Sequence, residues 1–352
     1  MPSKALLRPA DALAEARRVP GAAQAVTGKL DVQAVLDRRD EIIGGLDDSG
    51  QVGWLESRGV TLVRGHGRLD GERRVRVGER VLHALRAVVI ATGSGAAIPP
   101  IPGLAEARPW TNREVTTATK IPGRLLILGG GVVGVEMSQA YATLGSQVTV
   151  IEAGQRLIPR EEPYASEQLR QALTGRGVDV RTGVRAETVR RDGPDVTVTL
   201  SDGQAVAGDE ILVAAGRRPR TQDLGLQTVG LQPGRPVEVD GRLAVPGLPW
   251  LHAIGDASGR SLLTHMGKYQ AHVLSQILDG HPATAGGDDA AARRVIFTDP
   301  QVAAVGLTLM AARHQGAEAR AYDVPSSGTA GGAFHGTGTP GTARIVVDEH
   351  RQ

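Results

Sequence analysis

Three glycines spaced two and three residues apart, Gly129, Gly131 and Gly134, stand with Glu152 as the residues of this chain best suited to chemistry. The G-x-G-x-x-G spacing suits a backbone that grips a diphosphate. One glycine makes a tight turn, one lets the main chain come close, and one lets a helix pack tightly on a strand. The N–H groups that open such a helix carry partial positive charge and attract phosphate oxygens. Glu152 follows about 20 residues later, where a carboxylate accepts both ribose hydroxyls of a dinucleotide. Gly130, Val132 and Val133 complete the candidate contact loop.

The elements needed to position these residues surround them. Residues 125–128 form a short apolar run of buried parallel-strand character. Residues 135–144 continue as a helical pattern that Gly145 stops, and residues 147–151 form a second, β-branched strand ending in Glu152. The competing reading is a purely structural strand–helix turn, and the motif alone is weak, because Gly336, Gly338 and Gly341 in GTGTPG match it too. That copy contains Pro340 and leads into the strand-like residues 343–347, so it reads as a loop. The first copy has strand, turn, helix, strand and acid in order, and dinucleotide binding is expected there.

Composition narrows the alternatives. The chain has 352 residues, enough for two or three domains. Lys+Arg 40 against Asp+Glu 38 leaves a formal net charge of +2, the arginines are scattered, and aromatics are only 3%, so nucleic-acid binding is not expected. No apolar run approaches the roughly 18 residues of a membrane span, and residues 1–18 lack the apolar core of a signal peptide. The expectation is a cytoplasmic protein with no membrane association. There is no cysteine, which excludes a disulfide framework, a thiolate nucleophile and cysteine-bound metal. His265 and His272 lie outside any H-E-x-x-H context and read as a polar helix face, so no metal is expected.

Elsewhere, residues 2–18 have helical spacing (Leu6, Leu7, Ala10, Leu13, Ala14) with Ser3 as a candidate N-cap, and residues 30–46 are a second helical pattern broken at Gly44 and Gly45. Residues 60–63 and 73–77 look like short strands, and residues 167–176 like a helix. Residues 196–200 and 204–207 flank Asp202-Gly203, a hairpin signal. Residues 283–292 read as a linker and 326–341 as a loop. Residues 87–90 are a buried strand running into Ala91, Thr92 and Gly93, and residues 211–213 another, running into Gly216. VVIATG and ILVAAG thus form a weak repeat 123 positions apart, as if two nucleotide domains closed alike. No glycine turn opens the first of them, since Gly65-His66-Gly67 is followed by Asp70 where the third glycine belongs. Residues 250–256 form one more strand, ending in Gly255 and Asp256, before a helical pattern over 261–278.

Taken in order along nearly the whole chain, these motifs resemble the pyridine nucleotide–disulfide oxidoreductases, the family of dihydrolipoamide dehydrogenase and mercuric reductase. MPSKALL (residues 1–7) resembles the segment directly after the family's second redox cysteine, and IATGS (90–94) with Pro99, Pro102 and Gly103 the crossover out of the flavin domain. Residues 129–136 with Glu152 resemble the nicotinamide-cofactor site, and AAGRRP (214–219) the exit from that domain. AIGD (253–256) resembles the second flavin motif, and FTDPQVAAVG (297–306) the start of the dimer-interface domain. The resemblance implies an α/β fold with two Rossmann-like nucleotide-binding domains plus an α+β dimer-interface domain. The implied division is residues 1–119 and 244–288 for FAD, 120–243 for NAD(P) and 289–352 for dimerisation. It implies FAD and NAD as cofactors, a small-molecule electron acceptor, and a homodimer for an intact relative.

Carried over residue by residue, Asp256 with Gly255 is expected to meet the flavin's ribityl chain, with Ala91, Thr92 and Gly93 nearby; the plain alternative is an N-cap for the following helix. Lys4 and Glu136 resemble the family's ion pair beside the flavin and are the catalytic candidates; their alternatives are a solvated helix lysine and a helix-capping acid. Glu136 lies on an apolar helical pattern, where an unpaired carboxylate is costly, so a partner is expected. Glu152 favours NAD, with NADP left open by Arg156 and Arg160 nearby.

The family's opening flavin glycine turn, its redox cysteine pair and its histidine–glutamate acid/base pair have no counterpart here. The expectation is therefore a relative truncated at both ends, such as an internal start in a longer reading frame would yield, with disulfide reduction lost. Two further functions stay open: a flavin-dependent reductase of a quinone, dye or oxygen, and a non-enzymatic NAD-binding module.

Overall fold

Leu125, Leu126, Ile127 and Leu128 are all buried, as the middle of a sheet covered on both faces requires. In the computed structural model, strands β1 (Arg124–Leu128), β2 (Gln147–Glu152), β3 (Asp179–Thr182) and β4 (Glu210–Val213) form one parallel sheet in the order β4-β1-β2-β3. Alternate residues of β1 enter different cores. Leu125 and Ile127 pack with Leu6 and Leu7 of helix α1 (Pro2–Arg18), Val35 and Leu36 of α2 (Val32–Ile42), Val135 and Tyr141 of α3 (Val132–Thr143), and Leu169 of α4 (Pro163–Gly175). Leu126 and Leu128 pack with Val189, Val196, Val198 and Leu200 of an antiparallel meander over the opposite face. That meander holds the hairpin expected at Asp202-Gly203, where Gly203 has φ +82°.

The described residues are 2–286, 292–336 and 341–350, and they fall into two compact units. The first comprises Met1–Asp47, Ala96–Gly216 and Val295–Gln352. Besides the parallel sheet it contains a hairpin of Ala319–Pro325 and Thr342–Asp348. Arg344 joins that hairpin to the start of α4, pairing with Asp323 at 2.6 Å and Glu162 at 3.0 Å and stacking over Tyr164. The second unit comprises Asp48–Gly95 and Arg217–Arg294. In it Val88–Ile90 and Leu248–Ala253 run parallel, with Ala244–Val245 antiparallel beside them, and Gly67–Leu69, Arg74–Val77 and Arg80–His83 form a separate meander. The mixed α/β architecture agrees with the fold class expected from the sequence.

Some local expectations change. Ser3 lies inside α1, which begins at Pro2, and is not its cap. Residues 60–63 form no strand: Val60 and Leu62 are exposed, and a β-rich run without a partner has no ladder to join. Helix α4 begins at Pro163, four residues before the expected start, because proline's fixed φ and missing N–H suit the first helical position. The stretch taken as loop from 326 contains a five-residue helix, Ala330–Phe334, capped by Thr329. Gly338 and Pro340 of the discarded glycine pattern, and residues 287–291 of the linker expected over 283–292, lie outside the described residues.

Candidate functional site

The first group of expected residues gathers where β1 meets α3. Gly129 ends β1 with φ +112°, and a Cβ there would lie 2.5 Å from the carbonyl oxygen of Ala214, just past β4. Gly134 sits in the first turn of α3, where a Cβ would lie 1.9 Å from the Gly129 carbonyl oxygen. No side chain fits either position. A Cβ on Gly130 would strike Leu157 at 2.5 Å, whereas one on Gly131 would meet open space. The turn is therefore closed behind and open in front. Gly131 is the N-cap and offers no side chain to the helix, so the first-turn N–H groups at Val132, Val133 and Gly134 keep their capacity for an anion. Strand order places this turn where the connections from β1 and β4 diverge, the crevice where open parallel sheets take ligands.

Glu152 ends β2 beside the turn. Its Oε2 accepts from the Gly130 N–H and its Oε1 from the Gly154 N–H, both at 2.6 Å. The carboxylate is thus aimed by backbone at the mouth of the glycine turn. Arg156 turns its guanidinium onto the carbonyls of Pro159 and Glu161, so it braces its own loop. Gly216 follows Ala214 by two residues, with φ +135°, and its carbonyl accepts from the Ala97 N–H. These residues fit a dinucleotide: a cradle that a Cβ would fill, uncapped donors, and a carboxylate for ribose hydroxyls.

The second group is the ion pair. Glu136, on α3 two residues past Gly134, is 3% exposed. Lys4 Nζ donates to its Oε2 at 2.7 Å and its Oε1 at 3.0 Å. The same Oε1 accepts from the Phe297 N–H at 3.1 Å, and the Lys4 ammonium lies 4.6 Å from the centre of the Phe297 ring. The expected partner of the buried acid is therefore present. Phe297 was noticed only as part of an interface motif, and no local signal tied it to a residue 161 positions away.

The third group lies in the second unit, at the ends of its parallel pair. Ile254 N–H donates to the carbonyl of Ile90, holding Gly255 near Ala91, Thr92 and Gly93. Thr92 Oγ1 donates to the Arg220 carbonyl, and the Arg220 N–H donates to the Gly93 carbonyl. Asp256 is not the cap of the following helix, which is preceded by Leu263. It lies in a short turn of 3-10 helix, Gly255–Ser258, and accepts from the Ser94 hydroxyl, with Arg217 Nε 3.4 Å away. Arg217 also donates to Ser94 Oγ at 2.6 Å. In the sequence Ser94 and Arg217 stand only as members of the IATGS and AAGRRP motifs, with no local signal for this contact. A carboxylate surrounded by donors suits the hydroxyl-bearing part of a flavin. The diphosphate part has no fit, because the second unit has no strand–glycine turn–helix among its described residues.

Among the described residues no cluster of ligating side chains could hold a metal, and no helix is long and apolar enough to cross a membrane. His265 Nε2 instead contacts the Arg293 carbonyl at 2.8 Å.

With this geometry in view, comparisons place the chain among known proteins. Residues 1–272 match the family model described as pyridine nucleotide-disulphide oxidoreductase, and residues 292–352 match that family's dimerisation domain. A dihydrolipoyl dehydrogenase of Thermus scotoductus is 32% identical, over 99% of this chain and 76% of its own length. Dihydrolipoyl dehydrogenase 3 of Pseudomonas aeruginosa is 33% identical, over 90% of this chain and 70% of its own. Among solved structures, LpdA from Mycobacterium tuberculosis superposes with a TM-score of 0.82 at 26% identity, over 98% of this chain and 76% of that one. The HOCl-induced flavoprotein disulfide reductase RclA from Escherichia coli shares the fold, with a TM-score of 0.83 at 24% identity, over 99% of this chain and 77% of that one.

Proposed function

The chain belongs to the pyridine nucleotide-disulphide oxidoreductase family, and from that premise we propose that it performs the nicotinamide half of FAD-dependent NAD(P)H oxidoreductase chemistry, without the disulfide step. The family's cofactors are FAD and NAD(P). The observation that carries the reading is the glycine turn of residues 129–134, closed against side chains and open toward its uncapped helix N-terminus.

In this reading the N–H groups of α3's first turn bind the cofactor diphosphate, and Glu152 accepts the ribose hydroxyls. A 2′-phosphate would face the Glu152 carboxylate, so NAD is preferred over NADP. Lys4 and Glu136, steadied by Phe297, hold α1 against α3 and keep a buried carboxylate neutralised next to the cradle. Asp256 and Gly255, with Ala91, Thr92 and Gly93, are the residues proposed to meet flavin hydroxyls. When bound, the flavin supplies the hydride acceptor. Its diphosphate has no cradle among the described residues. With no cysteine in the chain there is no thiol–disulfide pair to receive electrons, and disulfide reduction is not part of the proposed activity.

The proposed organisation follows the sequence division: residues 120–243 for NAD(P), 1–119 with 244–288 for flavin, 289–352 for dimerisation, in a cytoplasmic protein that pairs with a second copy and serves a small-molecule electron acceptor. A second reading, an NAD-binding module without flavin, is favoured by the presence of one such glycine turn among the described residues. Calorimetry of the purified chain with NADH and NADPH tests the common core. Binding of NADH with weaker binding of NADPH is expected, and no NADH binding would sink both readings. Flavin absorbance with NADH-dependent dye reduction separates the first reading from the second, and turnover of lipoamide would refute the loss of disulfide chemistry.

A further inference from the structure

A cavity of about 430 Å³ opens between α1 and α3, away from the glycine turn, and its residues have no part in the proposed chemistry. Its size falls within the roughly 300–1,000 Å³ of small-molecule sites. Ala10, Leu13, Ala14 and Ala142 give its lining an apolar part, and Arg17, Arg18 and Arg176 line it as well.

The charges do not balance. Arg18 and Arg176 share a single carboxylate, that of Asp299. Arg17 donates to a neutral acceptor, the Gly28 carbonyl, at 3.2 Å. The other facing acid is Asp11, whose carboxyl is pushed up to about 6, first by burial and then by the charge of Asp299. Asp11 Oδ1 accepts from Gln139 Nε2 at 3.0 Å, and Gln139 Oε1 accepts from the Asp299 N–H at 2.7 Å, so the 1%-exposed Gln139 fixes both acids in place. Arg8, the other cation near Asp11, is paired with Glu15. Three guanidiniums thus face two carboxylates.

We infer that this cavity binds a small organic carboxylate, its charged end held by Arg17 and by the share of Arg18 and Arg176 that Asp299 leaves unneutralised, its short carbon chain lying against Leu13 and Ala142. Guanidinium forks match carboxylates in bidentate geometry, and the apolar part of the lining selects an organic acid over inorganic phosphate.

Calorimetric titration of the full chain with butyrate and with succinate, at fixed ionic strength, tests the inference, with dimethyl succinate and inorganic phosphate as controls. Binding of at least one acid, absent for the ester and weaker for phosphate, is expected. Arg17→Gln, which breaks no ion pair, should weaken it about tenfold, the cost of one charge-assisted hydrogen bond. Asp11→Asn should tighten it, because the amide oxygen still accepts from Gln139 while a repelling charge is gone; a purely structural role for Asp11 would not produce that gain. Failure of both acids to bind, equal binding of the ester or phosphate, or unchanged affinity in Arg17→Gln would overturn it.

Discussion

The turn after β1 and the turn after Leu248–Ala253 are made of similar parts, a buried parallel strand, a glycine with positive φ and a nearby carboxylate, yet they leave different groups free. At the first, Gly129 and Gly134 press backbone on backbone, and a twelve-residue helix starts with no side-chain cap. At the second, a Cβ on Gly255 would meet nothing within 4 Å, its N–H is taken by Gln270 at 2.6 Å, and the helix that starts there is a four-residue 3-10 turn. The first turn therefore offers a set of aligned N–H donors, and the second offers a carboxylate already ringed by Ser94 and Arg217. A glycine at the end of a strand permits close approach; only a full helix behind it supplies the field that holds a diphosphate.

The comparison breaks most sharply at the glycines. Gly134→Ala puts a methyl 1.9 Å from the Gly129 carbonyl oxygen, which forces the turn apart; NADH affinity measured by calorimetry should fall about 100-fold, or roughly 3 kcal/mol. Gly255→Ala meets no atom within 4 Å but holds φ +62°, so its expected cost is about 1 kcal/mol of stability with NADH affinity unchanged. Equal losses of NADH affinity in the two variants would erase the distinction.

The buried acid of the first region gives the next effect. Glu136→Ala strands the Lys4 ammonium and the Phe297 N–H, and denaturant unfolding should show a loss of about 3 kcal/mol. Glu136→Gln keeps an acceptor for Phe297 and should lose less; if both variants unfold like the parent, the ion pair has no structural weight.

The two carboxylates provide the finest contrast. Glu152→Ala should weaken NADH about tenfold, by loss of a charge-assisted contact to the ribose, and narrow the gap between NADH and NADPH. Asp256→Ala should leave both affinities where they were. NADH binding that responds to Asp256 would contradict the assignment of the cradle to the first turn.

The reading from sequence agrees with the structure at the strand, glycine turn, helix and strand of residues 124–152. It failed for residues 60–63, whose β-branched composition suggested a strand that finds no partner, and for Ser3, which lies inside α1. It also gave no role of their own to Ser94, Arg217 and Gln139, ordinary polar residues whose partners lie far off along the chain: 162 positions from Ser94 to Asp256, 128 from Asp11 to Gln139.

What the amino-acid order determined by itself is the β1–α3–β2 unit, because the apolar strand runs, the glycine spacing and the helix stop are all set within some thirty residues. The Lys4–Glu136 pair, 132 positions apart, was legible only through the family resemblance, and what the tertiary structure alone decided is which other polar groups meet: Asp299 between Arg18 and Arg176, and Asp256 with the Ser94 hydroxyl. Long-range pairs follow from how strands and helices are ordered in space, and a carboxylate takes the donors that packing brings within reach, a choice no local pattern encodes.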